Sequence, residues 1–171
     1  MLPNDYEGQN CSIARALEVV GERWTLLIIR DALLGLRRFD QFQESLGIAR
    51  NVLTHRLNRL VEEGILARVR YSERPERYEY RLTTKGRDLA VALAGLRQWG
   101  DRYLSEKPPW ITRRRWDKRP VIAAFVPTGA DVVRDDELEN VPSPGRRRAE
   151  SHSLDAAQRA LTTRGNRSEQ A

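Results

Sequence analysis

The chain has 171 residues, 40% of them hydrophobic, which suffices for one domain with a core of its own plus extensions. Its longest apolar run, WTLLII from Trp24 to Ile29, falls far short of the ~20 residues that cross a bilayer, and the opening MLPNDYEGQN lacks a signal-peptide pattern, so a cytoplasmic protein without a membrane partner is expected. One cysteine and two histidines exclude an internal disulfide framework and a Cys/His metal site, so no metal or cofactor is expected; a net charge of +6, with all cations but Lys85, Lys107 and Lys118 arginine, suits an anionic partner such as nucleic acid.

Residues 1–10 read as an N-terminal arm. From Ser12 to Val20, Ile13, Ala16, Leu17 and Val20 recur on one helical face, with Cys11 or Ser12 as N-cap and Gly21 as the stop. The run from Arg23 to Gly35 is apolar on most sides except Arg23, Arg30 and Asp31, the pattern of a buried central helix. A basic loop, LRRF, leads to a short helix with Asp40 as its expected cap, Phe42 and Leu46 as its buried side chains and Gly47 as its break.

Then comes NVLTHRLNRLVEEGIL, residues 51–66. Leu53, Leu57 and Leu60 share one side of a helix, and Asn51, Thr54, His55 and Asn58 cluster opposite them with Arg59 at the margin. Arg50 stands at the helix entrance. Two alternating runs follow, Ile65–Tyr71 and Arg77–Thr83, separated by SERPE with Pro75, and together they predict a hairpin carrying Arg68, Arg70, Arg74, Arg77 and Arg81. Thr84 is the expected cap of a long helix whose seam is Leu89, Leu93, Leu96, Gly100 and Tyr103, with KPPW as its end.

Residues 108–141 form a C-terminal extension, in which the β-prone VIAAFVP, a TGAD turn and Val132–Val133 are expected to make a small β-hairpin packed on the domain. Residues 142–171 are polar and expected to be mostly disordered.

Helix, helix, short helix, turn, helix, basic hairpin and long helix is the order of a winged helix-turn-helix. The expected class is therefore mainly α with a small β-hairpin wing (α+β). In such a domain the second helix of the pair enters the major groove, so its outer face needs side chains that hydrogen-bond base edges. Asn51, Thr54, His55, Asn58 and Arg59 are of that kind, Arg50 is placed to meet a phosphate, and Arg74 and Arg77 are the hairpin cations best placed to grip the backbone. Since one such helix covers only a few base pairs, a two-fold dimer with its helices about 34 Å apart is needed to read a palindromic operator in double-stranded DNA.

From Cys11 to roughly residue 104 the chain resembles the HxlR-type winged helix-turn-helix regulators of bacteria, relatives of the MarR group. The resemblance rests on Cys11 before the first helix, Gly21 with Trp24 and Thr25, Gly35 with Arg38 and Phe39, the Leu53–Leu57 pattern, Pro75, and the run from Tyr80 to Gly86. It implies a homodimeric DNA-binding transcription regulator, associated with the nucleoid, whose first and last helices contribute to the dimer. Leu89, Leu93, Leu96, Gly100 and Tyr103 supply a suitable surface. The family includes thiol-based sensors of electrophiles and oxidants whose cysteine matches Cys11. A helix N-terminus favours thiolate reactivity at such a position, while a small packed residue at the interface is the competing reading. Trp24, Trp99 and Tyr103 are candidates for lining a small-molecule effector pocket, against ordinary core roles.

The main alternative is a winged-helix protein-interaction module without DNA binding. An enzyme is disfavoured, because the chain carries no paired-carboxylate signature, glycine-rich phosphate loop or Gly-x-Ser-x-Gly, and the expected fold separates Cys11 from His55.

Overall fold

A computed structural model of the chain describes residues 10–144; most of the N-terminal arm and of the polar tail lie outside the described residues. Helices α1 (Ser12–Val20), α2 (Thr25–Leu33), α3 (Phe39–Leu46) and α4 (Arg50–Glu62) precede an antiparallel hairpin of β1 (Leu66–Glu73) and β2 (Glu76–Leu82). A single-turn helix α5 (Thr84–Arg87) and the longer α6 (Leu89–Tyr103) follow, and then a second antiparallel pair, β3 (Trp110–Arg114) and β4 (Leu138–Pro142). This is a winged helix-turn-helix with a C-terminal extension.

One apolar cluster holds the domain together. Ile28 and Ile29 of α2, Phe42 of α3, Leu53, Leu57 and Leu60 of α4, and Ile65, Leu66 and Tyr80 at the base of the hairpin are its buried members. The leucines at positions 53, 57 and 60 recur at helical spacing, so docking α4 on this cluster fixes which of its faces looks outward. Between α3 and α4 the chain turns at Gly47, whose φ of 60° lies in the left-handed region that glycine adopts without strain.

Several expectations need correction. Arg38, not Asp40, is the N-cap of α3; the chain is extended at Arg38, and the Gln41 side chain turns back to accept from the Arg37 and Arg38 amides at 3.0 Å each. The long helix starts late. Thr83 caps α5 by accepting from the Gly86 amide at 3.1 Å, and its hydroxyl donates to Gly64 O at 2.7 Å, so this turn is tied to the end of α4 before α6 begins. Lys85 strengthens the tie by donating to Glu63 O at 2.6 Å. A Cβ at Gly86 would collide with the Ile65 carbonyl, which explains a glycine in that turn.

The extension also differs from the expected hairpin. Its strands are Trp110–Arg114 and Leu138–Pro142, joined across residues 115–137, so β4 includes Pro142, and Ser143 adds a bond to Pro109 O. VIAAFVP forms no strand. The Gln98 side chain of α6 brackets Ala123 instead, accepting from its amide at 3.0 Å and donating to its carbonyl at 3.2 Å. The Val121 amide still donates to Thr112 O of β3 at 3.0 Å, but with the backbone of Ala123 engaged by a side chain the pairing is not continued.

Candidate nucleic-acid interface

On α4, Leu53, Leu57 and Leu60 face inward, and Asn51, Thr54, His55, Asn58 and Arg59 are all exposed. The outer surface thus carries amide, hydroxyl, imidazole and guanidinium groups along one helix. Thr54 donates its hydroxyl to Arg50 O at 2.9 Å, which leaves its oxygen lone pairs outward. Arg50 is the first residue of α4, and its guanidinium lies 4.8 Å from the centre of the Phe39 ring, a cation–π contact that steadies it at the helix entrance. Arg59 is engaged along its own helix, with Glu63 at 2.8 Å and Glu62 at 3.9 Å. Arg56, which carried no expectation, sits on the inner flank and pairs with Glu22 of the loop between α1 and α2.

The hairpin extends further than its sequence pattern suggested. Pairing runs out to Glu73 opposite Glu76, so only Arg74 and Pro75 form the tip, and a bulge between Arg70 and Ser72 leaves Tyr71 outside the register. Its five arginines divide by what they touch. Arg68 lies 3.6 Å from the Tyr78 ring centre, Arg70 pairs with Glu73 and Glu76, and Arg81 pairs with Glu79 at 3.1 Å. Among the described residues Arg74 and Arg77 make no ion pair and are exposed, so their full charge is presented at the end of the hairpin.

The seam residues of α6 also divide. Leu89 and Leu93 pack against the core cluster, whereas Leu96 and Tyr103 are exposed and Gly100 has open space at its Cα. Trp99, 54% exposed, pairs with Tyr103 at a ring separation of 5.7 Å. Trp24 is a different case: it packs on the core, bears the Arg23 guanidinium at 5.1 Å, and holds a left-handed φ of 80° at the N-cap of α2. Cys11 is half-buried at the N-cap of α1, and its carbonyl accepts from the Arg15 amide.

Two features escaped sequence reasoning. Asp31, fully buried in α2, accepts from the Ser45 hydroxyl of α3 at 2.5 Å and from Arg30 Nε at 2.8 Å. Burial pushes its carboxyl above the usual carboxylate range, against the opposing pull of Arg30 and Ser45. The second is what Arg38, singled out by the resemblance alone, touches: its guanidinium lies 4.8 Å from the Tyr71 ring centre and its Nε is 3.7 Å from Glu79. A charge inside an apolar helix is the only sequence signal for Asp31. Among the described residues no group of three or more His, Cys, Asp and Glu side chains is placed to hold a metal ion, and no helix is long and apolar enough to cross a membrane.

Comparison with known proteins bears on this surface. Residues 19–108 match the model of the HxlR-like helix-turn-helix family. An uncharacterized HTH-type transcriptional regulator of Mycobacterium tuberculosis is 56% identical over 110 residues, covering 63% of this chain and 68% of its own. Among solved structures, PA1607 superposes with a TM-score of 0.64 at 42% identity, over 71% of this chain and 87% of that one. The redox regulator HypR in its reduced form superposes with a TM-score of 0.52 at 29% identity, over 55% of this chain and 96% of its own.

Proposed function

The chain belongs to the HxlR-like helix-turn-helix family and is a transcriptional regulator of that type, and we propose that it acts as a homodimer on a palindromic operator in double-stranded DNA. One observation carries this reading: the outward face of α4 is a row of exposed hydrogen-bonding side chains, and the neighbouring hairpin presents at its end two exposed arginines, Arg74 and Arg77, that make no ion pair among the described residues. In the proposed complex α4 lies in the major groove, where Asn51, His55 and Asn58 read base edges. Arg50 meets a phosphate at the helix entrance, and Arg74 and Arg77 hold the backbone beside it. The exposed apolar side chains of α1 and α6 join two protomers, and without that second recognition helix a single domain would contact too few base pairs for a specific operator.

Selection of bound sites from a random DNA pool tests this directly. Paired half-sites about one helical turn apart are expected. Asn58→Ala and His55→Ala should each weaken binding to the selected site by about 1–3 kcal/mol and change base preference there. Arg74→Ala and Arg77→Ala should weaken binding on all sequences alike and flatten its salt dependence by about one unit of slope per lost phosphate contact. Equal affinity of wild type and the quadruple variant would leave a protein-interaction module as the better reading.

A second element of the proposal is control of that binding by an electrophile or oxidant at Cys11. Its support is the half-buried thiol at a helix N-terminus on the proposed dimer side, together with similarity to HypR, a redox regulator. Operator affinity before and after diamide or a quinone, for wild type and Cys11→Ser, decides it. Release of DNA only by the wild type is expected, and unchanged affinity at full modification makes Cys11 a packing residue.

A further inference from the structure

A two-stranded hairpin on its own is marginally stable in water, and small errors at its base grow along its length. The wing of this protein has a third support. At the N-terminus of α3 the extended Arg38 forms an isolated antiparallel bridge to Glu79, and the Tyr80 amide donates to Arg37 O at 2.7 Å. The Arg38 side chain continues what the backbone begins: its guanidinium lies over the Tyr71 ring of β1 at 4.8 Å, and its Nε approaches Glu79 of β2 at 3.7 Å. It therefore touches both strands at once. Tyr71 is available for this because the bulge removes it from the ladder register, and Glu79 is buried and also held by Arg81 at 3.1 Å.

The next residue reaches the other DNA-facing element. Phe39 packs on the core and lies beneath the guanidinium of Arg50, the opening residue of α4. Adjacent side chains at one helix start thus brace the wing and the recognition-helix entrance, and Gln41 locks their backbone by accepting from both Arg37 and Arg38. Tyr71 precedes Arg74 by three residues, or about 10 Å of strand. A tilt at the Arg38 clamp is carried along that length to the tip.

We propose that Arg38 is a positioning residue for the wing: by clamping Tyr71 and Glu79 it sets the distance from α4 at which Arg74 and Arg77 meet DNA. This rests on the DNA-binding reading above and adds that the contribution of the wing depends on a side chain outside it. Only an arginine does this well, because its planar guanidinium stacks on a ring face while its N–H groups point at a carboxylate, whereas a lysine ammonium does one or the other.

The test is a thermodynamic cycle with the full-length protein on its selected operator. Arg38→Ala and Arg38→Lys should each lose roughly tenfold in affinity in the wild-type background, yet less than about twofold when Arg74→Ala and Arg77→Ala are already present. His55→Ala should cost the same with or without Arg38. Tyr71→Phe, which keeps the ring, should behave as wild type, and Tyr71→Leu should reproduce Arg38→Ala; this pair serves if Arg38→Ala does not fold. An Arg38 effect that persists in full without the wing arginines identifies a direct phosphate contact and overturns the positioning role. So does an unchanged affinity of Arg38→Ala. A wild type that selects no site defeats the DNA-binding reading instead, before the cycle begins.

Discussion

Helices α4 and α6 are of similar length and are amphipathic in opposite senses. The first buries Leu53, Leu57 and Leu60 and turns Asn51, His55 and Asn58 outward. The second has no buried residue, rests on Leu89 and Leu93, and turns Val91, Leu96, Trp99 and Tyr103 outward, with Val91 74% exposed. Water is an adequate partner for the outer face of α4, and in the proposed complex DNA takes its place. For α6 it is a poor one, since a helix face that carries several large, exposed apolar side chains marks an interaction surface. Ile13 and Leu17 of α1 add to the same account, being exposed on a helix whose sequence periodicity places them on one apolar face. Periodicity identifies an apolar face correctly but does not say whether its cover comes from the same chain.

The largest effect should come from the buried side of α4. Leu57→Ala removes a side chain with no exposed surface from the centre of the cluster, and loss of about 2–5 kcal/mol of folding stability is expected. Urea unfolding measures it. A loss below about 1 kcal/mol would mean that α4 is not anchored as described, and the contrast between the two helices would fail at its better-defined end.

The outer side of α6 should behave differently. Trp99→Glu places a charge where a second copy is proposed to sit, and should weaken dimerisation by roughly 2–4 kcal/mol while leaving the thermal stability of the protomer nearly unchanged. Sedimentation over a range of concentrations separates the two quantities. Equal dimerisation by wild type and variant would move the interface elsewhere, and a comparable loss of protomer stability would show that the surface is covered from within the chain.

How much of this was legible in sequence depended on how local each cause is. The α4 face was readable because Leu53, Leu57 and Leu60 repeat within eleven residues of Arg50, and the hairpin because its alternation surrounds a proline. The break between α5 and α6 was not, since Thr83 and Thr84 are equivalent as caps until the chain supplies Gly64 O as a partner for one of them. In the extension, β4 pairs with β3 across residues 115–137, a distance over which composition carries no register. The sequence marks Asp31 as a charge in an apolar helix and Arg38 as a position of a basic loop and of the family resemblance, but not what either touches, because their partners Ser45, Tyr71 and Glu79 are distant in sequence.

Asp31 sharpens the comparison through pH, since it is the fully buried carboxyl at the junction between α2 and α3. Its folded value lies above the ordinary 3.8, so between the two the native state retains a proton that the unfolded chain has released. The contribution of Asp31 is therefore fully present below about 3.8 and is lost as pH rises through the raised value, beyond which it stays constant. Asp31→Asn keeps an acceptor for Ser45 without the charge. Its stability relative to wild type should rise across that window and then level off, as read from the difference between the two unfolding curves at each pH. A difference that falls with rising pH would mean that Arg30 and Ser45 outweigh burial and hold the carboxylate ionised.

Arg59 should give the smallest effect. Of the outward side chains on α4 it is the one already paired along the helix, with Glu63 at 2.8 Å and Glu62 at 3.9 Å. To reach a base or phosphate it would have to leave both carboxylates, which themselves repel the DNA backbone. Exposed pairs of this spacing contribute little, so Arg59→Ala should change folding stability by no more than about 0.5 kcal/mol. Operator affinity should fall by less than about threefold, well short of the loss for Asn58→Ala. Placed in the last turn of α4, the guanidinium instead complements the carbonyl end of the helix. If Arg59→Ala lost as much affinity as Asn58→Ala and altered base preference as well, the pair would break on DNA binding, and the reading surface would extend to the C-terminal end of α4.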